Sequence, residues 1–124
     1  MPSSTAPDAS RDFPPEPRSA RQVRAFVRST LVDVPNLDDI VLAASELAAN
    51  VIRHARTDFT VEIRLQSGGG IRLEVSDGSS VLPAVEDLTQ SYRGLRMVES
   101  LSRDWGFEAT DTGKTVWVEF SPPD

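Results

Sequence analysis

Apolar and polar residues alternate strictly from Phe59 to Leu65 and again from Ile71 to Val75. A period of two predicts two β-strands, and the run from Ser67 to Gly70 between them, three of its four residues glycine, predicts a hairpin turn. In both strands the apolar parity (Phe59, Val61, Ile63; Ile71, Leu73, Val75) is opposed by a charged one (Glu62, Arg64; Arg72, Glu74). Such strands belong to a sheet covered on one face only. Upstream the period changes to that of a helix. Val23, Phe26, Val27 and Leu31 form a buried stripe on a helix that Ser19 can cap, with Arg21, Arg24 and Arg28 outside. Ile40, Val41, Ala44, Leu47, Ala48, Val51, Ile52 and Ala55 form the apolar face of a second helix. Asn36 stands at its N-cap, with Asp39 three residues on in a position like that of a capping box.

After the hairpin, Asp77, Gly78, Ser79, Ser80 and Pro83 mark a loop, and a third helix is expected from about Gly94 to Ser102. Strands near Trp105 to Ala109 and Lys114 to Phe120 flank a turn at Asp111 to Gly113. Two helices, two strands, a loop, a helix and two strands predict an α+β fold. It is a two-layer sandwich with the helices on one face of a mixed, mostly antiparallel sheet. Residues 1 to 17 hold five of the nine prolines and predict a flexible tail, with room for a short edge strand at Phe13 and Pro14. The folded domain then spans 18 to 121, and no internal repeat is evident.

Composition narrows the chemistry. With 39% hydrophobic and 26% charged residues in 124, the chain fits one soluble domain. No apolar run reaches membrane-spanning length and the first residues lack a signal-peptide pattern, so a cytoplasmic location and no membrane partner are expected. Zero cysteines exclude disulfides and thiolate metal sites, and a single histidine disfavours a histidine-built transition-metal centre. The net charge of −6 opposes direct nucleic-acid binding but suits a protein partner with a basic patch.

The second helix carries the most telling polar residues. Glu46 and Asn50 are i,i+4 neighbours, Asn50 and Arg53 i,i+3, and Asn50 and His54 i,i+4, so all four share one face opposite the apolar stripe. Leu42, Ala43 and Ala49 border them, as small and apolar residues border a cavity. Asparagine is a poor residue for a helix interior, so its place there breaks a local rule without structural gain. A solvated helix face and a functional one both remain open on these residues alone.

Four segments, taken together, resemble those of a known family. Glu46, Leu47, Asn50 and His54 look like the N box of the Bergerat-fold (GHKL) ATPases. Val75 to Gly78 resembles the first glycine box, Arg93-Gly94-Leu95 the second, and Gly113 to Trp117 the last conserved segment. Within that family the chain is most similar to the stand-alone anti-sigma-factor serine/threonine kinases, over about residues 13 to 120. The resemblance implies ATP and Mg²⁺ as cofactors, an anti-sigma-factor antagonist as phosphoacceptor, a sigma factor as second partner, and a homodimer as an open possibility. It implies Glu46 as general base or orienting group, and Asn50 as Mg²⁺ ligand through its amide oxygen. Arg53 and His54 extend the row toward phosphates or pair with carboxylates. Asp77 is implied as reader of the adenine amine, although Asp-Gly after a strand is also an ordinary turn signal. Gly78 lets the backbone approach the base, and Thr115 completes the adenine pocket through its hydroxyl or a water. Arg93, Gly94 and Leu95 open a helix whose free N–H groups suit a phosphate. Two positions depart from the family pattern: Ser79 stands two residues after Asp77, where the family usually has a glycine, and Tyr92 replaces the first glycine of the second box. They keep a second reading open, a non-catalytic protein-binding module of the same fold.

Overall fold

The computed structural model describes residues 6–81 and 93–122, and the backbone alone of residues 93–95. In chain order it contains β1 (Ala9–Phe13), α1 (Pro17–Thr30), α2 (Leu37–Asn50), a π-helical turn (Val51–Ala55), β2 (Phe59–Leu65), β3 (Ile71–Asp77), α3 (Arg93–Leu101), β4 (Asp104–Thr110) and β5 (Gly113–Phe120). The strands form one sheet in the order β1-β2-β3-β5-β4. All four pairings are antiparallel, so the sheet is more uniform than the mixed one expected.

The alternation read from the sequence sets the two faces. Phe59, Val61, Ile63, Leu73, Val75, Val118 and Phe120 are buried against Val23 and Val27 of α1, Ile40, Ala44, Leu47 and Ala48 of α2, and Val98 of α3. The other face carries a charge ladder. Arg72 donates to Glu74 at 2.7 Å and to Glu119 at 2.8 Å, Arg103 reaches Glu119 at 3.0 Å, and the Arg72 guanidinium lies 4.5 Å from the Trp117 ring centroid. Burial pushes the Glu119 carboxyl upward, but hydrogen bonds from Arg72, Arg103 and Gln66 outweigh it and hold the group below the usual carboxylate range. No helix among the described residues is long and apolar enough to cross a membrane.

Several elements differ from the sequence expectation, each for a local reason. The stretch read as tail contains β1, which pairs with β2 from Ala9 opposite Ile63 to Phe13 opposite Phe59. Phe13 is buried and stacks on Phe59 at 5.5 Å, so one aromatic anchors a strand whose other side chains are small or polar. Ser19 is not the cap of α1. Glu16 holds that place and Pro17 opens the helix, as its fixed φ and missing N–H allow, while the buried Ser19 hydroxyl donates to the Pro14 carbonyl at 2.7 Å. Asn36 precedes α2 but makes no side-chain cap, and its Oδ1 is buried without a partner among the described residues. Arg24 and Arg28 are not simply outward: they donate to Ser45 at 2.9 Å and Asp38 at 3.1 Å, stitching α1 to α2. Ala43, expected at the border of the polar face, is fully buried.

Candidate functional site

The α-helical geometry of α2 ends at Asn50, which is therefore at a junction and not mid-helix. From Val51 the chain follows a π turn, with the Arg56 N–H donating to the Val51 carbonyl at 2.8 Å and Arg56 at φ 58° closing it. π turns of this kind occur frequently at functional sites. Glu46, one turn earlier, is half-buried and has no side-chain hydrogen bond or ion pair to another described residue. Asn50 is 7% exposed; its Oδ1 accepts from Arg53 Nη2 at 3.1 Å, and its Nδ2 is buried with no acceptor among the described residues. A buried polar group left unpaired costs roughly 1–3 kcal/mol, so an acceptor brought to Nδ2 would stabilise the site. Arg53 and His54 are exposed on the π turn.

The second cluster lies where β3 meets β5. β3 runs two residues further than the alternation of Ile71 to Val75 predicts, so Asp77 is the last strand residue rather than a loop residue. It shares the buried parity of Leu73 and Val75, and is 7% exposed. Its Oδ1 accepts the Ser79 N–H at 2.8 Å, and Lys114 Nζ lies 3.0 Å from each of Oδ1 and Oδ2. The Gly78 N–H donates to Thr57 Oγ1 at 2.8 Å, which ties the turn after Asp77 to the segment that follows the π turn. The Asn50 and Asp77 segments, separate in sequence, are thereby joined. Gly113 makes the strand end possible, since a Cβ there would lie 1.9 Å from the Asp77 carbonyl oxygen.

Thr115 is placed differently from the expectation. It pairs with Ser76, and the two hydroxyls are 2.8 Å apart on the face of the sheet opposite Asp77. Side chains alternate across a strand, so the residue beside Asp77 on the helix-covered face is Lys114. Lys114 and Thr57 are thus the polar residues that the motif reading passed over. Arg93, Gly94 and Leu95 supply the backbone of the first turn of α3, which packs against α2. Tyr92 lies outside the described residues.

Mg²⁺ prefers oxygen ligands and keeps several waters and phosphate oxygens in its shell. Among the described residues no cluster of His, Asp or Glu would hold a metal by itself. One amide oxygen on Asn50 fits an ion delivered with a polyphosphate, provided that Arg53 releases it. A buried acceptor at Asp77 and a helix opening at α3 suit the two ends of a nucleotide.

A family model described as histidine kinase-like ATPase domain matches residues 13–120. No curated protein matches the chain. Among solved structures, the chain is similar to the RsbU and RsbW domains of Rv1364c from Mycobacterium tuberculosis, with a TM-score of 0.69 and 23% identity over 94% of this chain. The match spans 33% of that longer chain, and at this identity the likeness shows the fold alone.

Proposed function

The chain belongs to the histidine kinase-like ATPase domain family, and from that premise we propose that it is an ATP-dependent serine/threonine protein kinase of the anti-sigma type. In this reading it phosphorylates an anti-sigma-factor antagonist and sequesters a sigma factor. The observation that carries the reading is the pairing, one helical turn apart, of a half-buried Glu46 without a partner among the described residues and a buried Asn50 amide whose Oδ1 takes one hydrogen bond among those residues, from Arg53. Phosphoryl transfer asks the protein mainly for positioning and charge stabilisation. The hydroxyl oxygen of the acceptor protein attacks the γ-phosphorus of ATP, and its proton passes to the Glu46 carboxylate. The bond to the β,γ-bridging oxygen breaks and ADP leaves with the electron pair. Asn50 would hold Mg²⁺ through its amide oxygen, and the ion would neutralise phosphate charge without a further anion beside the phosphates. Arg53, released from Asn50, turns to a phosphate oxygen, and the N–H groups that open α3 at Arg93, Gly94 and Leu95 take another. Asp77 accepts the adenine amine.

Two contacts favour a second reading, a protein-binding module without nucleotide chemistry: Lys114 occupies the Asp77 carboxylate and Arg53 occupies the Asn50 oxygen. Incubation with γ-labelled ATP, Mg²⁺ and the antagonist separates the two. The kinase reading expects label on the antagonist that survives acid, as a phosphoserine or phosphothreonine does. Acid-labile label would indicate histidine chemistry, and no transfer to a folded antagonist would favour the binding module.

A further inference from the structure

Lys114 is a buried ammonium that no step above uses. It lies on β5 in the helix-facing parity of Val116, Val118 and Phe120, directly opposite Asp77 in the ladder, and is 6% exposed. Its partners among the described residues are the two oxygens of one carboxylate, each at 3.0 Å. An ammonium carries three N–H donors and a carboxylate about four acceptor positions. Lys114 therefore keeps at least one N–H uncommitted. Asp77, which also takes the Ser79 N–H, keeps an acceptor position. A buried donor left unspent beside a buried acceptor left unfilled is a costly arrangement unless a ligand meets both.

We propose that Lys114 is a second base-reading residue, and that Asp77 and Lys114 together read the adenine edge, Asp77 accepting from the exocyclic amine and Lys114 donating to ring nitrogen N1. The proposal rests on the placement of the base at Asp77 made above, and deepens it. On adenine the amine donor sits next to the N1 acceptor, which complements an acceptor next to a donor. Guanine presents the reverse, an acceptor O6 beside an N1–H donor. Against this pair it sets acceptor to acceptor and donor to donor, so two mismatches exclude it where Asp77 alone supplies one. Thr115 cannot share the task, because its hydroxyl is on the other face of the sheet.

The test compares ATP with 1-deaza-ATP, in which N1 is a C–H, and with 7-deaza-ATP, altered on the far ring, on the wild-type chain and on Lys114→Met. The wild type is expected to bind 1-deaza-ATP about tenfold or more weaker than ATP, and 7-deaza-ATP like ATP. Lys114→Met is expected to bind ATP more weakly and to lose the distinction between ATP and 1-deaza-ATP. Equal wild-type affinity for ATP and 1-deaza-ATP overturns the proposal while leaving the ATP site standing, and needs no variant to fold. Tighter ATP binding by Lys114→Met also overturns it, and makes the lysine a plug on Asp77. Absence of ATP binding by the wild type overturns both this proposal and the nucleotide reading beneath it.

Discussion

Replacing Glu46 by alanine is expected to leave ATP affinity within a few-fold of wild type and to lower phosphoryl transfer by roughly two orders of magnitude or more. The carboxylate is half-buried and makes no hydrogen bond or ion pair to a described residue, so its loss breaks none of these. Under the proposed mechanism, what it removes is the group that takes the hydroxyl proton. Asn50→Ala is expected to differ: the amide is buried at the junction with the π turn and would ligate Mg²⁺, so Mg²⁺-dependent binding should fall along with transfer. Measurement of both quantities with the protein substrate distinguishes the two roles. Equal transfer by wild type and Glu46→Ala would show that Glu46 is not the catalytic group.

Gly113→Ala is expected to destabilise the fold by about 2–3 kcal/mol or more and to abolish nucleotide binding. The added methyl would stand 1.9 Å from the Asp77 carbonyl oxygen and 2.8 Å from the carbonyl carbons of Asp77 and Gly78. These are backbone atoms, so relief requires β3 and β5 to part where Asp77 and Lys114 are held. Gly68→Ala serves as control. Its Cβ would meet nothing within 4 Å, and only the φ of 88° penalises it, by about 1 kcal/mol. Urea midpoints of the two variants should therefore separate clearly, and an unchanged midpoint in Gly113→Ala would contradict the close approach.

The sheet was legible where side-chain alternation carries the information. From Phe59 to Leu65 and from Ile71 onward the register follows from parity, and Leu65 faces Ile71 across the hairpin that the glycines predict. β1 was hidden because Ala9, Ser10, Arg11 and Asp12 have no apolar parity of their own; the strand exists through its ladder to β2 and through Phe13. Helical spacing identified Glu46, Asn50 and Arg53 as neighbours, and Arg53 does bond Asn50. The change to i→i+5 bonding at Val51 leaves no trace in an apolar stripe, so the row could not be placed at a helix junction from spacing. The positions of Thr115 and Lys114 were within reach. Counting back from Phe120 through Val118 and Val116 puts Lys114 on the buried face, but a lysine counted as apolar parity reads as a strand end unless its partner Asp77 is known. Thr57 gave no signal at all, since its bond to Gly78 joins two loops 21 residues apart.

The proposed function places adenine at the buried carboxylate of Asp77 and the metal of its triphosphate at Asn50. Calorimetric titration with ATP, with and without Mg²⁺, and with GTP, on wild type and Asp77→Asn, tests it most directly. The account predicts saturable ATP binding that Mg²⁺ strengthens, at least tenfold weaker binding by a folded Asp77→Asn, and weaker binding of GTP than of ATP. Equal affinity for ATP and GTP, or an Asp77→Asn variant that binds ATP like the wild type, would contradict it.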